Sequence, residues 1–268
     1  MKVQNFCCYL LLSGFVLFFN SCKKDVGVKE KNRPNHAESQ RKGAKADKYN
    51  TFYGHQVQVG DGRVRTFVTI SHTGVPKEIG IEMTEGALSG LPMEHTNYVL
   101  PIHKKGTEVT PFDHVYFNWN PHGHPPFFFE SPHFDIHFYM VSVEERMQVS
   151  TTSPLMEQLP PQAYWPQGYV PTPGGEAQMG KHWINPLSPE ICCNQPFTHT
   201  MIWGSYAGEL TFIEPMVTQA FLLSGANVHL PFGQPAQVMQ TGTYYPTSYN
   251  VYERDGKHYV TLSDFVLR

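Results

Sequence analysis

The chain has 268 residues, with 20 Lys/Arg against 23 Asp/Glu and only five cysteines. Residues 23–50 hold nine Lys/Arg against four Asp/Glu and residues 51–268 hold ten against nineteen, so the part able to fold is acidic. That excludes nucleic acid as a partner, which needs a basic face on the folded part, and the cysteine count excludes a framework of spaced disulfides.

The first 22 residues, "MKVQNFCCYLLLSGFVLFFNSC", put Lys2 ahead of an apolar run from Phe6 to Phe19. The run is short for a membrane span and leads into small Ser21, the pattern of a secretory signal peptide over residues 1–21. Cys22, directly after "FFNS", resembles the lipobox of bacterial lipoproteins, with Asn20 where a small residue is usual. The resemblance implies lipidation at Cys22 and a membrane-anchored location in the bacterial cell envelope, on its periplasmic or surface face. Residues 22–50 then read as the lipidated cysteine and a disordered basic tether, because low hydrophobicity and mixed charge leave nothing to fill a core. Beside an anionic bilayer, each basic residue of such a leash is worth on the order of 1 kcal/mol.

Residues 51–268 are long enough to bury a full core as one domain. "TFYGHQVQV", "RVRTFVTI" and "KEIGIEM" form a three-strand meander over residues 51–84, turning first at Gly60-Asp61-Gly62. Strands follow at "NYVLPI", "DHVYFNWN" and "HFDIHFYMV". Ser142 and Glu145 fit a capping box, so the last of these strands should turn straight into a short helix. Residues 153–190 are dense in proline and glycine, as expected of functional loops or a lid. Adjacent Cys192 and Cys193 can close a strained ring, but two half-buried thiols are the simpler reading. "PMVTQAFLLS" fits either helix or strand, and "YNVYERDGKHYVTL" is a hairpin turning at Asp255-Gly256. The expected fold is mostly β: a single-domain antiparallel sandwich or barrel, with one or two short helices and long Pro/Gly-rich loops.

The chemistry concentrates in "HGHPPFFFESPHFDIHFYM", residues 122–140. Strand residues two apart share a face, which puts His133, Asp135, His137 and Tyr139 on one side and Phe134, Ile136, Phe138 and Met140 on the other. The second set is a core face. Upstream, His122 and His124 sit in a proline-bounded loop and could give two nitrogen ligands to one ion. His182 in "GKHW" and Glu214 in "FIEPM" are further candidates. Zinc takes three or four N/O/S ligands, at roughly 2.0–2.2 Å for nitrogen and oxygen. His133 and His137 lie about 13 Å apart along an extended strand, so one of them should ligate while the other stands behind. Asp135 is placed to accept the second N–H of a ligating imidazole, with Tyr139 beside it.

"GVPKEIGIEMTEGALSGLP", "TPFDHVYFNWNPHGHPP", "SPHFDIHFYM", "GKHW" and "PFTHTMIWGSYAGELTFIEPMVTQAFL" resemble an uncharacterised family of secreted bacterial proteins. It is a domain of unknown function whose type member comes from Thermus. The resemblance spans roughly residues 51–230 and implies a β-rich exported domain and no particular reaction. One departure is Ala207, where an acidic residue is expected.

The function these features favour is binding at a metal-centred histidine site under the Pro/Gly loops. The set is His122, His124, His133, His137 and His182, the ion divalent and most simply zinc, with room for a small-molecule ligand. The alternative is a metal-dependent hydrolase or lyase that uses a metal-activated water, with Glu214 as general base. Acid/base catalysis without a metal, and a structural envelope protein whose His/Asp network only fixes the core, stay open beside these.

Overall fold

The computed structural model describes residues 48–268. The expected signal peptide, Cys22 and nearly all of the basic tether lie outside the described residues. In chain order the regular elements are β1 (Tyr49–Val59), β2 (Gly62–Ser71), β3 (Pro76–Thr84), β4 (Thr96–Pro101), α1 (Lys104–Thr107), β5 (His114–Asn120), β6 (His133–Tyr139) and α2 (Val143–Met147). After the long irregular stretch come β7 (Val170–Pro171), β8 (Lys181–Ile184), α3 (Pro189–Cys192), β9 (His199–Tyr206), β10 (Glu209–Thr218) and α4 (Gln219–Leu223). The chain ends with β11 (Val228–Pro231), β12 (Tyr244–Tyr245), β13 (Ser248–Arg254), β14 (Lys257–Ser263) and β15 (Val266–Leu267).

The strands form a six-stranded sheet, β1-β2-β3-β14-β13-β11, and a seven-stranded sheet, β4-β5-β6-β10-β9-β8-β7, with β12 and β15 as a separate ribbon. Neither sheet closes on itself, so the fold is a sandwich and not a barrel. One apolar core draws on both sheets. Val64, Val68, Ile79, Ile81, Met83, Val260 and Leu262 come from the first, and Phe117, Trp119, Phe134, Ile136, Phe138, Ile213 and Val217 from the second. The meander over residues 51–84 and the hairpin at Asp255-Gly256 form as expected. Both turn residues of that hairpin have positive φ, the backbone twist a two-residue turn requires.

Four short α-helices occur among the described residues, more than the one or two expected. Each spans four or five residues, too short for a helical period to show. Side-chain caps start three of them, and α3 begins at Pro189 without one. Ser142 and Glu145 form the complete box before α2, and Thr218 accepts from the Phe221 amide before α4. "PMVTQAFLLS" is therefore both things in turn, strand through Thr218 and helix after it. Cys192 and Cys193 are joined in a disulfide, not left as the two thiols expected.

The β9–β10 turn places Ala207 in a left-handed conformation. Ala207 and Gly208 sit at φ 53° and 83°, a left-handed pair in which the Cβ of alanine crowds the following carbonyl at a cost of roughly 1–2 kcal/mol. Asp and Asn tolerate this conformation through local hydrogen bonds. Ala207→Asn should therefore raise the urea midpoint, by up to about 1 kcal/mol in stability. An unchanged or lower midpoint would show that the turn is not strained.

Candidate metal centre

The alternation of β6 gives the site its position. Phe134 stacks on Phe117 at 5.3 Å and meets Trp119 at 4.7 Å inside the sandwich. With the even-numbered side chains locked inward, His133, Asp135, His137 and Tyr139 must point out of the opposite face of the seven-stranded sheet. Along β6 that outer face is nevertheless covered. All seven residues of β6 are buried, because loops cross over it. Phe129 and Phe197 close one end, while Val141 and Met179 pack at the other. At that second end Tyr139 donates to the Gln178 carbonyl at 2.8 Å. Gln178 and Met179 of the Pro/Gly-rich segment thus cover this end of the site.

The structure brings the candidate residues together as two groups, His124–His133–Asp135 and His137–His182–Glu214, each able to hold a metal ion. In the first, Asp135 Oδ1 lies 3.0 Å from His133 Nε2, and Asp135 Oδ2 lies 3.5 Å from His124 Nε2. In the second, Glu214 Oε1 is 3.3 Å from His137 Nε2, and Oε2 is 3.8 Å from His182 Nε2. Donors held about 2.1 Å from a tetrahedral ion stand roughly 3.4 Å from one another, and these four separations bracket that value.

Tautomers point the same way. His124 Nδ1 meets the Pro125 carbonyl at 2.8 Å, His133 Nδ1 the Ser131 carbonyl at 2.7 Å, and His137 Nδ1 the Tyr116 carbonyl at 3.2 Å. A carbonyl only accepts, so each Nδ1 must carry hydrogen, and each Nε2 is turned toward a carboxylate. The backbone thereby fills the role for which Asp135 was suited, and both Asp135 oxygens face Nε2 atoms instead. Nitrogen and carboxylate at these distances need either a proton or a metal ion between them. Asp135 Oδ1, His137 Nε2 and Glu214 Oε2 have no hydrogen-bond partner although buried, an expensive condition in an apolar site.

Three placements depend on residues that the local pattern does not single out. Asn120 donates to Asp135 Oδ2 at 2.7 Å and lies 3.4 Å from His133 Nε2, tying the first group to β5. Gly204 pairs with both His182 and Phe212, and any Cβ on it would run into the Phe212 ring, so only glycine leaves Phe212 its place beside His182. Gly123, at φ 64°, lets the loop fold back so that the His124 amide reaches the Phe129 carbonyl at 3.1 Å. Asn120 could have been found, since "FNWN" puts Asn118 and Asn120 on one face. The two glycines act through partners on the next strand or turn, Phe212 and Phe129. His122 is exposed and in neither group. Tyr139 stacks between His114 and His137 without offering its oxygen to either group.

The two groups differ in charge. Burial alone would raise Asp135, but the imidazoles of His133 and His124 outweigh it and hold the carboxyl well below the usual range. His124 is itself raised: burial opposes its charged form, yet Asp135, the Pro125 carbonyl and Glu176 prevail. The second group is neutral. Burial, with Asp135 adding to it, keeps Glu214 well above the usual carboxylate value. Burial likewise depresses His137 to about 3 and His182 to about 4.

His137 has a stability consequence. Above the unfolded histidine value of about 6.5 the ring is neutral in both states and its contribution is complete. As pH falls from there toward about 3, the unfolded chain takes up a proton that the folded chain refuses. Stability is then lost at up to about 1.4 kcal/mol per pH unit. In chelator, the urea stability of the wild type should drop between pH 6.5 and 5 by about 2 kcal/mol more than that of His137→Gln. Parallel curves would mean that His137 is not held neutral.

A family model described as TTHB210-like, hypothetical protein TTHB210, matches residues 71–119. The matched stretch runs from the end of β2 through most of β5 and stops before all six residues of the two groups. It is similar to a domain of unknown function and says nothing of the site. No curated protein and no solved structure matches the chain.

Proposed function

We propose that this is a lipid-anchored protein of the bacterial cell envelope that binds divalent metal, zinc by preference, on the outer face of its seven-stranded sheet. One observation carries the metal reading. Three imidazoles have Nδ1 engaged by backbone carbonyls and Nε2 turned on two buried carboxylates. Imidazole with carboxylate suits zinc among the common divalent ions. Asp135 Oδ1, His137 Nε2 and Glu214 Oε2 have no hydrogen-bond partner although buried, a condition that a bound ion would relieve. Glu214 lies within ligand reach alongside His137 and His182, which favours a ligand role over that of a free general base.

Zinc titration of the full chain in detergent at pH 7.5, followed by calorimetry, tests this. About two equivalents are expected, with His124→Ala and His182→Ala each losing one. Saturating metal should raise the melting temperature by mass action, equivalent to about 4 kcal/mol at a thousandfold excess over Kd. Stoichiometry near zero in the wild type would end the metal reading.

The anchoring half rests on the N-terminal sequence alone. Lipid supplies about 0.8 kcal/mol per buried CH₂, so Cys22→Ser should move the protein from the membrane fraction to the soluble one. Retention of the variant in the membrane would count against lipidation.

A further inference from the structure

The outer face of the six-stranded sheet carries a charge opposite to that of the rest of the body. Val64, Val68, Val260 and Leu262 enter the core, so Arg63 and Arg65 of β2 and Lys257 and Tyr259 of β14 point outward. Glu82 joins them, 2.7 Å from Arg65 Nη2 and 3.1 Å from Lys257 Nζ, and Glu78 accepts from Tyr252 and Thr261. Aromatic rings bed the cations on this face. Arg65 lies 3.6 Å over Tyr53, Lys77 5.3 Å over Tyr49, and Arg254 4.9 Å over Tyr259.

Five of the ten Lys/Arg in residues 51–268 are thus gathered with two of the nineteen Asp/Glu. The face has net charge +3 and the remainder of the body −12, with histidines neutral. At the rim, Glu85 and Glu253 follow the core-side parity of β3 and β13, Asp61 packs on Gly90, and Asp264 meets His229 at 3.1 Å. Asp255 stays exposed in its hairpin turn. Arg63, Lys77 and Arg254 are exposed, and Tyr49 and Tyr53 are each 43 % exposed.

We propose that this face rests on an anionic bilayer, with Arg63, Lys77 and Arg254 on lipid phosphates and Tyr49 and Tyr53 at headgroup depth. The inference rests on the anchored reading above, which supplies the membrane. Lys48 follows Cys22 by 26 residues, at most about 90 Å of chain. The chain enters the domain at β1, the edge strand of this same sheet. Within that reach the lipid charge selects an orientation, since it attracts one face and repels the acidic remainder. Tyrosine rings favour the level of the headgroups. The two metal groups lie on the outer face of the opposite sheet, so this pose turns them away from the membrane.

The test uses the Cys22→Ser chain, which carries no lipid, cosedimented with two kinds of vesicle: phosphatidylcholine alone, and phosphatidylcholine with phosphatidylglycerol at two to one. The chain should pellet with the anionic vesicles and not with the neutral ones. Arg63→Gln, Lys77→Gln and Arg254→Gln should each weaken that binding about fivefold. Together they should weaken it at least tenfold while melting temperature and zinc stoichiometry hold. Lys104→Gln with Lys105→Gln, exposed on α1, should change it less than threefold. Variants of the face that bind as tightly as their parent would leave the tether as the contact and overturn the inference. Equal loss from the α1 pair would overturn it as well, by making the attraction a matter of net charge. So would equal binding to neutral vesicles, or displacement of the vesicles by duplex DNA at matched phosphate concentration. Failure of the anchor shows separately, as Cys22→Ser protein that stays in the membrane fraction of cells.

Discussion

Burial of β6 on both faces is the constraint from which the rest of the site follows. A strand between a core and solvent can afford a loose register, since its outer side chains are free to move. Here both sides are enclosed, and they differ in kind: Phe134, Ile136 and Phe138 on one, three imidazole or carboxylate residues and a tyrosine on the other. A slip of one residue would drive Asp135 into the apolar core and expose the phenylalanines to the histidine face. The aromatic packing inside the sandwich therefore does more than stabilise the fold. It fixes, through the two-residue period, where each Nε2 points.

Register also decides which histidine meets which carboxylate. Pairing of Ile213 with Phe138 and of Met216 with Asp135 sets Glu214 opposite His137. His182 arrives from two strands further across, over Gly204. The first group is more local, since Asp135 and His133 share β6 and His124 descends from the loop just before it. This division answers the reach problem posed by the 13 Å between His133 and His137. The strand does not bend to bring both to one ion, because each histidine has a carboxylate of its own.

How much of this was legible in the sequence depends on range. The faces of β6, the capping box at Ser142 and the hairpin at Asp255-Gly256 are all written in stretches of a few residues, where period, cap and turn chemistry act directly. Histidines and carboxylates could be nominated by type. Their partition into two groups could not, because it depends on register between strands some eighty residues apart and on the space left by Gly204. Helix number was missed for a related reason: a one-turn helix held by a cap has no period to read. The pairing of Cys192 with Cys193 was a choice between two locally plausible states, and composition favoured the wrong one.

Electrostatics then separate two groups that look alike in composition. Each offers two imidazoles and a carboxylate, yet one keeps its carboxyl ionised and the other keeps it protonated. The difference lies in the neighbours. Asp135 is flanked closely by His133 and His124, the latter 37 % exposed and able to carry charge. Glu214 is met at 3.3 and 3.8 Å by rings that burial holds neutral, and feels Asp135 as a like charge. Ionising both carboxyls without a cation would put two negative charges on one buried face with too little to balance them. Without metal the face settles this by leaving a proton on Glu214. A dication bound there would take over that proton's role of separating Glu214 from the His137 lone pair.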